Sequence, residues 1–104
     1  MPARSTALFI ERSIREGTRW AVFEPNGRAL WGELAAAATA FLQGLFAQGA
    51  FAGAPPAESF FARCDATTTS EADRQAGIAN LVVGFATAQP AEFVIPTIPL
   101  LIQP

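Results

Sequence analysis

The chain has 104 residues, a formal net charge of −2 and a single cysteine. That length suits one domain, expected over 1–104, and can bury a core without disulfides or metals. A lone Cys64 excludes an internal disulfide framework. Half the residues are hydrophobic (51%), which argues against disorder. All the basic residues are Arg, and no basic stripe stands out, so no nucleic-acid partner is expected. The N-terminus leads into no apolar h-region, so no signal peptide is read. No apolar run reaches the ~18–20 residues of a membrane span. Leu81 to Ile102 comes nearest, but Gln89, Pro90, Glu92, Pro96 and Pro99 interrupt it. No membrane partner is expected.

Ser5 to Glu16 reads as a helix, with Ala7, Ile10 and Ile14 on one face and Ser5 or Thr6 as its cap. Gly17 suits a left-handed C-terminal stop. Thr18 to Glu24 reads as extended, with Arg19, Ala21 and Phe23 alternating against Trp20, Val22 and Glu24. Pro25, Asn26 and Gly27 turn the chain. A long amphipathic helix is expected from Arg28 to Gln48, with Leu30, Trp31, Leu34, Ala38, Phe41, Leu42 and Leu45 repeating every three or four residues. Gly49 ends it, and Gly53, Pro55 and Pro56 form a loop.

Three strands follow. Glu58 to Asp65 places Phe60, Ala62 and Cys64 opposite Phe61 and Arg63. A polar connector from Thr67 to Gly77 has room for a helical turn at Ser70 to Arg74. Ile78 to Thr87 carries Leu81, Val83 and Phe85 on one side, and Ala91 to Ile98 is the last strand. Pro96 cannot donate to a ladder, which puts that strand at an edge or gives it a bulge. Residues 99–104 read as a flexible or arm-like tail. The fold class is α+β: two helices on one face of a small, mainly antiparallel sheet, in the order α-β-α-β-β-β.

Catalytic equipment is missing. Without histidine, the usual general base and the commonest transition-metal ligand are gone. Cys64 next to Arg63 is the one nucleophile to weigh, since a neighbouring cation lowers a thiol pKa. Its place on the side of Phe60 and Ala62 favours a core role. Asp65, Glu71 and Asp73 lack the alternation and closing Glu of a calcium loop and read as turn residues. No metal, no cofactor and no enzyme activity is expected.

Several segments, taken in order, resemble the C-terminal domain of contractile tail sheath proteins. The family covers phage tails, R-type pyocins and related injection machines. The run from Ile10 through Gly17, Thr18, Arg19 and Trp20, continuing Val22, Phe23, Glu24, Pro25 and Asn26, resembles the domain's opening. Leu30, Trp31, Phe41 and Leu42 resemble its long helix. Phe60, Phe61, Arg63, Cys64 and Asp65 with Thr67 to Thr69 resemble the next strand and turn. Val83 to Ala86 and then Pro90, Ala91, Glu92, Phe93, Val94 and Ile95 resemble its last strands. Sheath subunits are several times longer than this chain.

The resemblance implies a structural assembly module that packs against other sheath subunits and the tail tube protein. Such a module is assembled in the bacterial cytoplasm and resides in the tail or injection particle. Subunits of the family are linked by strands added to each other's sheets. The implied strand-exchange edge is Phe93, Val94, Ile95, Thr97 and Ile98. Tube or subunit contact falls to Arg12, Arg15, Arg19 and Arg28, because the long helix has no basic residue after Arg28. Gly17, Thr18, Trp20, Phe23, Glu24, Pro25, Asn26, Trp31, Cys64, Asp65, Pro90 and Glu92 are read as motif residues with structural roles. The alternative is a stand-alone interaction protein, or prophage relic, that forms a homo-oligomer through an exposed sheet edge.

Overall fold

The computed structural model of the chain describes residues 3–49, 59–88 and 91–102. Helix α1 spans Ala3–Gly17 and α2 spans Arg28–Ala47, joined by a 3₁₀ turn at Arg19–Phe23. Strand β1 (Phe60–Arg63) precedes a short helix α3 (Glu71–Gln75). Strands β2 (Ile78–Ala88), β3 (Ala91–Val94) and β4 (Thr97–Leu101) complete the sheet. This is an α+β fold with a four-stranded antiparallel sheet.

The long strand β2 is the spine of that sheet. β1 pairs along one side of it, and β3 and β4 pair along the other. Period-two alternation decides what each face carries. Ala79, Leu81, Val83 and Phe85 of β2 are fully buried, as is Ile98 of β4. They face the helices, whose inner stripe is Ile10, Ile14, Leu30, Trp31, Leu34, Ala38 and Leu42. Burying a large aliphatic side chain fully contributes about 1.5–3 kcal/mol, so this single layer of contacts holds the helices on the sheet. Phe46 and Phe60 meet across it with ring centroids 5.9 Å apart.

Several expectations change. The segment Thr18 to Glu24 is not extended. Ala21 N–H donates to the Thr18 carbonyl and Glu24 N–H to the Ala21 carbonyl, each at 3.0 Å. Both alternating faces of that segment carry large apolar groups, so alternation alone did not identify the buried one. The turn buries only small Ala21 and leaves Phe23 exposed. Helix α1 begins at Ala3, so Ser5 and Thr6 lie inside it rather than at its cap. Gly17 is not left-handed; among the described residues, positive φ belongs to Gly49 and Gly77. Gly49, at φ 79°, closes α2 by donating to the Phe46 carbonyl at 2.9 Å.

The last strand is longer than expected, and it has no bulge. Val94 stands opposite Phe85 and Thr97 opposite Val82, so Ile95 and Pro96 cross Gly84 and Val83 with no residue inserted. Val83 N–H still donates to the Pro96 carbonyl at 3.1 Å. Only the return bond is missing, because Pro has no N–H. The tail expected from residue 99 is not a tail as far as Ile102: Pro99, Leu100 and Leu101 belong to β4, and Ile102 is buried. The expected loop at Gly53, Pro55 and Pro56 lies outside the described residues.

By length and composition α2, with 20 residues and an 18-residue window of mean hydropathy 1.2, could cross a membrane. It is thus a nearer approach to a span than Leu81 to Ile102. Its apolar stripe, however, is buried against the sheet.

Candidate interaction surface

Thr18, Trp20, Asn26 and Trp31 of the motif tie neighbouring elements together. Thr18 is buried, and its hydroxyl donates to the Ile14 carbonyl at 2.7 Å, closing the end of α1. Trp20 Nε1 donates to the Gly17 carbonyl at 2.9 Å. Asn26 is buried, and its Nδ2 donates to the carbonyls of Arg74 and Ile78. Its Oδ1 accepts from Trp31 Nε1 at 2.8 Å. One side chain therefore ties the entry of α2 to α3 and the start of β2. Phe23, Glu24 and Pro25 are exposed beside it.

The connector after β1 is organised in the same way. Asp65 Oδ1 accepts from the Thr67 N–H at 2.8 Å and from its hydroxyl. The Thr68 hydroxyl donates to the Asn80 carbonyl at 2.8 Å, and Asn80 N–H donates to Thr69 Oγ1 at 2.9 Å. Asn80 Nδ2 donates to the Thr68 carbonyl and to Asp73. Asp73 and Ser70 form a capping box at the start of α3. These bonds engage Asp65 and Asp73, and Arg74 engages Glu71; no metal-ligand cluster occurs among the described residues. Asn80 had no signal in the sequence, because its partners Thr68 and Thr69 lie 12 and 11 positions away.

Cys64 is buried, and its thiol is pushed up to about 11. Burial is the main cause and the Asp65 charge the second, with a Thr69 hydrogen bond opposing them. Arg63 does not activate it; alternation sends Arg63 to the solvent side.

Two exposed features bear on contact with a partner. The first is the outer edge of β3 and β4. Ile102 N–H donates to Gly77 and Val83 N–H to Pro96, which sets the parity of the ladder. Residues 94, 96, 98, 100 and 102 thus bond inward to β2. The outward main-chain groups are those of Phe93, Ile95, Thr97, Pro99 and Leu101. Phe93, Ile95 and Thr97 also have exposed side chains. Val94 is half-buried and Ile98 fully buried, so those two edge candidates are core side chains. Glu92 pairs with Thr87 through the backbone. Pro90 lies outside the described residues.

The second feature is a groove of about 490 Å³ between the 3₁₀ turn and β4, lined by Arg15, Arg19, Val22, Phe23 and Leu101 among others. Arg15 Nη1 donates to the Pro99 carbonyl at 2.9 Å. Arg19 lies 3.7 Å from Glu16, both largely exposed. Arg12 is exposed one turn before Arg15. Arg28 does not join them; it starts α2 and lines a different groove with Trp31, Cys64 and Asp65. The four arginines are therefore not one patch.

No family model matches the chain, and no curated protein matches it. Solved structures do. One is the cryo-EM structure of the anti-feeding prophage (AFP) baseplate, 6-fold symmetrised, with a TM-score of 0.59 and 25% identity. The match covers 93% of this chain and 24% of that one. The chain has the fold of one part of an AFP baseplate chain. It spans about a quarter of the length of that neighbour.

Proposed function

We propose that this domain is a structural module of a phage-like contractile injection particle, without enzymatic activity, and that it serves as a sheath-type domain. The observation that carries the particle role is the AFP baseplate likeness, which extends over 93% of the chain; the sheath-type assignment rests on the ordered sequence motifs from Ile10 to Ile95. The absence of histidine and the burial of Cys64 fit a module without chemistry. Its partners in this reading are neighbouring sheath subunits, reached through the edge at Phe93, Ile95 and Thr97, and the tail tube, reached through Arg12, Arg15 and Arg19. It is made in the bacterial cytoplasm and ends in the particle.

Co-sedimentation of the domain with assembled tail tubes across a salt series tests the role. The expected result is pelleting at low salt and release as salt screens exposed charges. A domain that stays in the supernatant at low salt does not serve this role.

The outward main chain of β3 favours a second reading, a stand-alone module that oligomerises edge to edge. Sedimentation velocity separates the two. Concentration-dependent association that disappears in Ile95→Lys supports it, and a monomer at every concentration ends it.

A further inference from the structure

We propose that the groove between the 3₁₀ turn and β4 receives an extended partner segment carrying a carboxylate beside a large apolar side chain. Three apolar side chains border the groove and remain open to solvent: Val22 at 39%, Phe23 at 80% and Leu101 at 78%. Such exposure around one concavity differs from the scattered apolar residues of an ordinary surface. The charged residues lining it are Arg15 and Arg19, both basic, in a chain whose net charge is −2. The groove therefore selects an acidic occupant.

Arg15 is held in place by its bond to the Pro99 carbonyl, which leaves the rest of its guanidinium fork for a carboxylate. The Glu16 partner of Arg19 is 3.7 Å away and 70% exposed, a contact a better-placed acid displaces. Strand addition is interrupted here. Pro99 has no N–H, and its carbonyl is already bonded. Recognition falls to side chains, which distinguishes this groove from the open edge at Phe93 to Thr97. The inference rests on the groove itself and does not require the particle role.

The test uses the ¹⁵N-labelled chain and the capped peptide Ac-Ala-Phe-Glu-Leu-Ala-NH2, titrated to millimolar concentration. Saturable amide shifts confined to residues 18–23 and 100–102 are expected. Replacing Glu by Gln in the peptide, which loses both arginine contacts, is expected to weaken binding about two- to tenfold, and Arg19→Gln in the protein, at a largely exposed site, about two- to fivefold. Leu101→Ser, at an exposed position, is expected to abolish saturation while leaving the remaining spectrum unchanged. No saturable shift, or equal binding of the Glu and Gln peptides, overturns the proposal. Shifts of the same amides with protein concentration alone also overturn it, because they make a second copy the occupant.

Discussion

Gly84 shows how one residue shapes the outer face of the sheet. Phe61 and Phe93 lie over it from the two neighbouring strands, stacked at 6.0 Å with an interplanar angle of 10°. A Cβ on Gly84 would stand 2.2 Å from one Phe61 ring carbon and 2.7 Å from one of Phe93. Gly84→Ala is therefore expected to destabilise the domain by about 1–3 kcal/mol in chemical denaturation. Phe61→Leu in the same chain should recover part of that loss. A neutral single variant would show that the rings slide aside freely. Cys64 makes a second residue-scale case. With its thiol raised to about 11, native labelling by iodoacetamide near neutral pH should be slow and should become fast only on unfolding. Rapid labelling of the folded chain would mean that the strand opens locally.

At the scale of elements, α3 carries an exposed ion pair beside its capping box. Arg74 Nε and Nη2 donate to the Glu71 carboxylate at 2.9 and 2.6 Å. These bonds, with a smaller one from Gln75, hold the Glu71 carboxyl at about 2, below its ordinary 4.5. The sign follows from linkage. A depressed carboxyl contributes stability that is complete above 4.5 and is lost as pH falls toward 2. Amide protection in α3 should decline over that window, and less steeply in high salt because the pair is exposed. Arg74→Ala should return the Glu71 titration, followed by NMR, toward 4.5. The β3 and β4 ladder makes the opposite point about an apparent break. Pro96 removes one bond, but the register is the same on both sides of it. The two pieces behave as one edge strand held by the burial of Ile98 and Leu100.

For the whole molecule, the core is a single layer between two helices and one sheet face, so its residues should fail together. Ile98→Ala or Leu42→Ala, each at a fully buried site, should lower stability by about 2–5 kcal/mol. Helix and sheet signals should then share one unfolding midpoint. Separate midpoints would show that the helices come off a sheet that persists.

Much of this layer was legible along the chain. The three-and-four spacing of Leu30, Trp31, Leu34, Ala38 and Leu42 marked α2, and the alternation of Leu81, Val83 and Phe85 marked β2. Those patterns are local consequences of helix and strand periodicity. The 3₁₀ turn was not legible, because apolar side chains occupy both faces of Thr18 to Glu24. The groove was not legible either, since Arg15 and Pro99 meet across 84 positions of sequence. What the sequence alone determined is the fold class, the inward faces of the main helix and strands, and the absence of histidine. Tertiary structure decided which main-chain edge stays open, that Val94 and Ile98 serve the core, and that Arg15 and Arg19 share a groove while Arg28 does not. Periodicity is carried by neighbours in the chain. An edge or a groove exists only once distant segments are brought side by side.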